Sequence, residues 1–310
     1  MKNIKKHNLV RFDWAMKRLL RNKANYEVLE GFLSELLKTD ITIIKLLESE
    51  ANQDEAEDKF NRVDLMAEDH KGELFIIEIQ NRDEYDYFHR MAYGTSKIIA
   101  EYLDKGEAYK NVKKVFSINI VYFDLGQGKD YIYHGTTDFY GIHQKDKLEL
   151  SDKQKAEFTK NEPADIFPEY FVLKVNQFND IAKDSLDEWI YYLKNDEVPD
   201  NFTAKGLQKA KEILRFDELN ENEKIVYKKY LDDLHYKASM AWTMQKEAEY
   251  EVFNKGKQVG KAEGKAEGRA EGKAEEKNMI AKNLLKSGVD INTIIQVTGL
   301  TKDQINKLKK

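Results

Sequence analysis

The stretch Val63-Asp64-Leu65-Met66, then Gly72-Glu73 and Leu74-Phe75-Ile76-Ile77-Glu78-Ile79-Gln80, decides the fold. It reads as a β-hairpin, two apolar strands joined by the polar, glycine-containing residues 68–73. Each strand carries one acid where an apolar residue would pack better: Asp64 interrupts the first and Glu78 the second. Strand side chains alternate faces, so Glu78 and Gln80 project to the same side. With the strands antiparallel about that turn, Asp64 lies beside them. Two carboxylates and an amide converging on an otherwise buried sheet form a site for a hard cation. Phe75, Ile76 and Ile77 are consecutive, so both faces of the second strand read as buried. An isolated ion there is costly to desolvate, and each acid needs a partner. The competing reading is a solvated surface hairpin with alternating acids.

At 310 residues the chain is long enough for one large domain or two ordinary ones. Its 41% hydrophobic and 35% charged residues suit a well-solvated globular protein. No run of about eighteen apolar residues occurs, so no membrane-spanning helix is expected. Residues 1–7 carry basic side chains with no apolar stretch behind them, so no signal peptide is expected either. The absence of cysteine removes disulfides and thiolate metal ligands. A cytoplasmic address is the simplest expectation. A net charge of −5 opposes a phosphate partner, but the charge is uneven. Lys2, Lys5, Lys6, Arg11, Lys17, Arg18, Arg21 and Lys23 stand against the single acid Asp13, whereas residues 48–58 carry acids and no base. The basic start is either a phosphate-facing surface or a solvated helix face.

Residues 13–20 and 25–37 read as helices, the second with Leu29, Phe32, Leu33, Leu36 and Leu37 on one stripe. Residues 41–47 read as a strand before the hairpin. Residues 86–104 read as a helix stopped by Gly106, with Arg90, Tyr93 and Lys97 three or four apart on one side. Residues 115–123 form a long apolar strand, placed centrally, and 130–134 and 170–175 a further strand pair. From residue 184 the chain turns helical, with Leu186, Trp189, Ile190 and Leu193 in a stripe. Pro199 separates it from further helices over 204–216 and 221–253.

An Asp, a hairpin turn and Glu-x-Gln together resemble the metal-binding motif of the PD-(D/E)XK nucleases, with Gln80 where Lys is usual. Arg11-Phe12-Asp13 before an amphipathic helix, Ile77-Glu78-Ile79-Gln80 and Arg90-x-x-Tyr93 narrow the likeness. This ordered set resembles the Rpn family of recombination-promoting nucleases and transposases, across residues 8–194. The resemblance implies an α/β, restriction-endonuclease-like core, a mixed central sheet flanked by helices, with a helical C-terminal extension. It implies a DNA endonuclease in which Asp64, Glu78 and the backbone carbonyl of Ile79 bind Mg²⁺ (or Mn²⁺). Asp64, Glu78 and Gln80 would be the catalytic residues. Family nucleases also draw an acid from the first long helix to orient metal or water. Glu30, bordering that helix's apolar stripe, is the candidate here. Arg90 and Lys97 are candidates for phosphate contact, and Tyr93 for packing beside the site. A neutral Gln80 orients water but adds no positive charge to stabilise hydroxide. The alternative is therefore a catalytically weak DNA-binding or oligomerising scaffold. Nothing in the sequence speaks for strand transfer, which a metal site does not imply.

At Gly256 the composition changes. Gly256, Gly260, Gly264, Gly268 and Gly272 recur every fourth residue. Lys261, Lys265, Arg269 and Lys273 form one row, and Glu263, Glu267, Glu271 and Glu275 another. Same-sign neighbours at i, i+4 disfavour an isolated helix, and each glycine costs about 1 kcal/mol against alanine. The repeat is either a helix paired with another chain, matching Lys rows to Glu rows, or a flexible linker. A Gly/Ala/Glu-rich tail of this kind is also common in the Rpn family. Residues 279–287 and 290–297 read as helices stopped by Gly288 and Gly299. Thr301 and Gln304 then stand at capping-box spacing before a last helix. This tail resembles a small helix-turn-helix, which either reads DNA or caps the chain. Lys302, Lys307, Lys309 and Lys310 are its phosphate candidates, with Gln304 and Asn306 for base edges. The expected organisation is a nuclease-like domain over 1–180, a helical extension over 181–255, the repeat over 256–278, and the tail over 279–310.

Overall fold

The computed structural model describes residues 9–47, 64–103 and 106–308. Lys2, Lys5, Lys6, the acidic run 48–58, Val63, Asp104, Lys309 and Lys310 lie outside the described residues. The chain divides into two compact units, Met1–Tyr230 and Leu231–Lys310.

The first unit is built on a six-stranded mixed sheet. Its strands are β1 (Ile43–Leu47), β2 (Leu65–Asp69), β3 (Leu74–Gln80), β4 (Val115–Val121), β5 (Ile132–Gly135) and β6 (Glu169–Lys174), in the order β1-β2-β3-β4-β6-β5. β1, β2 and β3 are antiparallel neighbours. β3, β4 and β6 run parallel, and β5 returns antiparallel along β6. Every β4 residue except Phe116 is buried, as its central position requires. Helices α1 (Phe12–Arg18), α2 (Tyr26–Leu37), α3 (Tyr87–Glu101), α4 (Asp152–Phe158), α5 (Ser185–Asn195) and α6 (Leu207–Ile213) accompany the sheet. This is the α/β arrangement expected from the sequence.

The β2–β3 hairpin turns at Gly72, whose φ of 76° lies in the left-handed region. The Asp69 carboxylate accepts the Lys71 and Glu73 amides and fixes that turn. The ladder runs from Glu68↔Leu74 to Leu65↔Ile77. Asp64 therefore lies at the mouth of β2 and does not interrupt it. Its carboxylate replaces the strand by accepting the Ile79 amide of β3, at 2.9 Å. Phe75, Ile76 and Ile77 are all buried, so β3 is covered on both faces. α3 ends at Glu101, short of the glycine expected to stop it, and β4 ends at Val121.

The apolar stripe of α2 is buried at Leu29, Phe32, Leu33 and Leu36. Phe32 meets Trp189 of α5 at 5.5 Å between ring centroids, and Phe12 of α1 meets both Trp189 and Tyr192 at 6.1 and 6.0 Å. Offset and edge-on rings at these spacings add to the area they bury. α7 (Glu221–Lys286) begins in this unit, with Tyr227 against Trp14 of α1 at 5.0 Å.

In the second unit α7 continues through the glycine repeat, so those residues are helical. Its last turns supply Ala281 to a small core with Ile294 of α8 (Ile291–Thr298), Leu300, and Ile305 of α9 (Lys302–Lys307). Asp290 caps α8 by accepting the Asn292 and Thr293 amides. Thr301 and Gln304 form the expected capping box on α9. Gly299, at φ 69°, makes the turn between these two helices.

Candidate active site

The site is built where β2 begins and β3 ends. Asp64 has one carboxylate oxygen, Oδ2, on the Ile79 amide, and its other, Oδ1, 2.8 Å from the Lys17 ammonium of α1. Arg21 adds a second cation by donating to the Asp64 backbone carbonyl at 3.1 Å. Glu78 projects from β3 beneath α3, where a side chain added at Gly94 would approach its carboxylate to 4.0 Å. Arg90 of α3 stands 3.2 Å from Glu78 Oε2. Burial is the main force on Glu78 and pushes its carboxyl up to about 7; Arg90 pulls the other way, and the charges of Asp64 and Glu84 push further up. A buried carboxylate pushed up in this way is relieved by a cation beside it.

Gln80 lies on the same side of β3 as Glu78, as alternation requires. Its amide nitrogen donates to Glu84 Oε2 at 2.6 Å, and Arg90 donates to the same oxygen at 2.8 Å. Glu84 thus gathers Gln80 and Arg90 while Arg90 also holds Glu78. Among the described residues no group of three or more His, Asp or Glu side chains is placed to hold a metal. The donors suited to an ion are the pair Asp64 and Glu78. That set fits a hard divalent cation, which takes one or two carboxylates and fills the remaining positions with water and phosphate.

The structure brings Asp64, Glu78, Gln80 and Arg90 into one constellation. The other candidates make contacts of their own or face solvent. Glu30 accepts the Ile43 amide at 2.8 Å and so pins the start of β1. Lys97 faces Glu101 at 3.7 Å, one turn along α3. Tyr93 is 55% exposed and contributes surface, not core. Sequence reasoning missed Glu84, an acid four residues past Gln80 in the loop leading to α3. It also passed over Lys17, counted only within a basic run. Arg21 lies in the turn after α1, so its contact with Asp64 follows from that turn and not from helical spacing.

Beside the site stands a second polar cluster. Asp13 is 4% exposed and accepts the Trp14 amide and the Asn81 side-chain amide, both at 2.9 Å. Tyr230 of α7 also donates its hydroxyl to Asp13. Arg11 reaches Asp13 at 3.3 Å, Asn81 at 3.1 Å and Asp196 at 3.9 Å. Asn81 directly follows Gln80, so this brace fixes the exit of β3. Arg11-Phe12-Asp13 accordingly serves both the aromatic core and the edge of the site.

No curated protein and no solved structure matches the chain. Residues 274–310 match the C-terminal HTH domain of the Rpn/YhgA-like nuclease family. Residues 10–243 match the PD-(D/E)XK nuclease family transposases, a span that holds the whole sheet and every residue of the constellation. The chain belongs to the PD-(D/E)XK nuclease family transposases, in their Rpn branch.

Proposed function

We propose that this protein is a metal-dependent DNA endonuclease that hydrolyses phosphodiester bonds and acts in recombination or mobile-element activity. The observation that carries the reading is the Asp64–Glu78 pair, one carboxylate at the mouth of β2 and one on β3, whose charges oppose one another at the end of a buried sheet. Asp64, Glu78 and the Ile79 carbonyl would hold Mg²⁺ or Mn²⁺. The chemistry such an ion would supply is polarisation of the scissile phosphate and acidification of the attacking water. Asp64 is held in place for this by the Ile79 amide. Gln80 would orient water through its amide, and Arg90, paired with Glu78 and Glu84, would turn to a phosphate oxygen. The helix-turn-helix unit would bind DNA, with Lys302 and Lys307, both exposed, for phosphates. The glycine repeat would join copies of the chain.

Plasmid nicking by the purified protein in Mg²⁺, Mn²⁺ or chelator tests the reading. Asp64→Asn and Glu78→Gln should each lower metal-dependent cleavage by about 100-fold or more while DNA binding persists or strengthens. Parent-like cleavage by either variant, with contaminating nuclease excluded, would overturn the assignment.

The scaffold reading draws on one observation: the Gln80 amide is already engaged by Glu84. A chain that binds DNA and assembles without cleaving in any metal would establish it.

A further inference from the structure

Gln80 has no charge to offer at the point of attack, and its amide nitrogen is bound to Glu84 at 2.6 Å. The ammonium at this end of the sheet comes from α1. Lys17 stands 2.8 Å from Asp64 Oδ1, and its side chain is 53% exposed. It therefore contacts a carboxylate of the proposed metal site while half of its side chain stays in solvent. In the turn after α1, Arg21 holds the Asp64 carbonyl at 3.1 Å, so this helix and its turn bring two cations to one residue. Arg90 is differently placed, tied to both Glu78 and Glu84.

We infer that Lys17 is a catalytic residue that neutralises Asp64 in the resting site and, once a divalent ion claims that carboxylate, turns its ammonium to the attacked phosphate. This deepens the nuclease reading and rests on it. Lys17 transfers no proton. The attacking water forms the new P–O bond and releases a proton to solvent, the bond to the leaving oxygen breaks, and that oxygen takes up a proton. Throughout, the ammonium offsets negative charge on the non-bridging phosphate oxygens, as a cation preorganised beside developing charge does.

Two consequences have opposite sign. As a competitor for Asp64, Lys17 weakens ion binding; as a partner of the phosphate, it speeds cleavage. Full-length parent, Lys17→Met and Lys17→Met/Gln80→Lys proteins would be titrated with Mn²⁺ by electron paramagnetic resonance without DNA. Cleavage would then be measured at saturating Mn²⁺, with circular dichroism confirming equal helix content. Lys17→Met should bind Mn²⁺ about two- to fivefold more tightly, the worth of a half-exposed ion pair. It should nevertheless cleave about 100-fold more slowly. Gln80→Lys, returning an ammonium from β3, should recover about tenfold of that loss. Parent-rate cleavage by Lys17→Met, or weaker Mn²⁺ binding by it, would overturn the assignment and leave the nuclease reading standing. A parent that neither binds Mn²⁺ nor cleaves would remove both.

Discussion

Asp196 ends α5 in the left-handed region, at φ 52°, with 7% of its surface exposed. Burial pushes its carboxyl up to about 7; Arg11 pulls it down, and the Asp13 charge pushes it up again. The folded carboxyl thus holds its proton more tightly than an unfolded one, whose ordinary value is 3.8. Between those values the folded state binds more protons, so stability falls as pH rises through the window and levels off above it. The loss is on the order of 2–4 kcal/mol. Asn tolerates the left-handed conformation and carries no charge to bury, while Arg11 keeps Asp13. Asp196→Asn should therefore raise the urea midpoint at pH 8 and leave it near the parent's at pH 4. Equal midpoints at pH 8 would show that Arg11 fully compensates the charge. None of this is legible in the sequence, where Asp196 is one acid in a polar stretch. The placement of Asp64, Glu78 and Gln80 was legible, because strand alternation alone sets two of them on one face and the turn returns the third beside them. Glu84 and Lys17 were not, since a loop and a separately packed helix set their contacts.

Elements with a strong period emerged where expected; β3 and the end of α2 kept their expected bounds, whereas α3 and β4 ended early. The hairpin and the stripe of α2 follow from alternation and helical spacing. The stop of α3 lies before its glycine, at Glu101, where the Tyr102 amide closes on Ile98. The repeat was ambiguous for a physical reason: glycine and same-sign rows oppose a helix that the flanking turns continue. Packing distance between elements was equally hidden. Gly31 of α2 lies against the chain entering α6, where an added Cβ would sit 2.3 Å from the Lys205 carbonyl and 2.6 Å from Gly206 Cα. Both obstacles are backbone, and Lys205 is further tied by the Trp189 indole to its carbonyl at 3.1 Å. Gly31→Ala should therefore cost about 1–3 kcal/mol or more, against the few tenths to 1 kcal/mol that alanine normally adds to a helix. Urea unfolding would read the difference, and a stabilised Gly31→Ala protein would show that the two elements separate easily.

At the scale of the whole molecule, the tail offers a test that separates assembly from chemistry. From residue 235 to 277 every side chain of α7 except Asn254 is exposed. A Cβ added at any of the repeat's five glycines would meet nothing within 4 Å, so no contact within the chain requires them. Around the helix, the Lys row lies about 100° to one side of the glycine row and the Glu row about 60° to the other. Two copies packed parallel on that row would set Lys against Glu, whereas antiparallel copies would set Lys against Lys. The constellation of Asp64, Glu78, Gln80 and Arg90 lies entirely in the first unit. Removing residues 256–310 should therefore spare metal-dependent cleavage while lowering self-association and DNA affinity. Light scattering of full-length and 1–255 proteins at about 0.1 and 1 M salt, where the screening length falls from about 10 to 3 Å, reads the assembly. Full-length protein should exceed the monomer mass at low salt and approach it at high salt, and the shortened chain should remain monomeric in both. Monomeric full-length protein in both buffers would sink the pairing of repeats. Unchanged DNA affinity on truncation would leave the helix-turn-helix unit without a part in substrate binding, and α1 as the source of phosphate contacts.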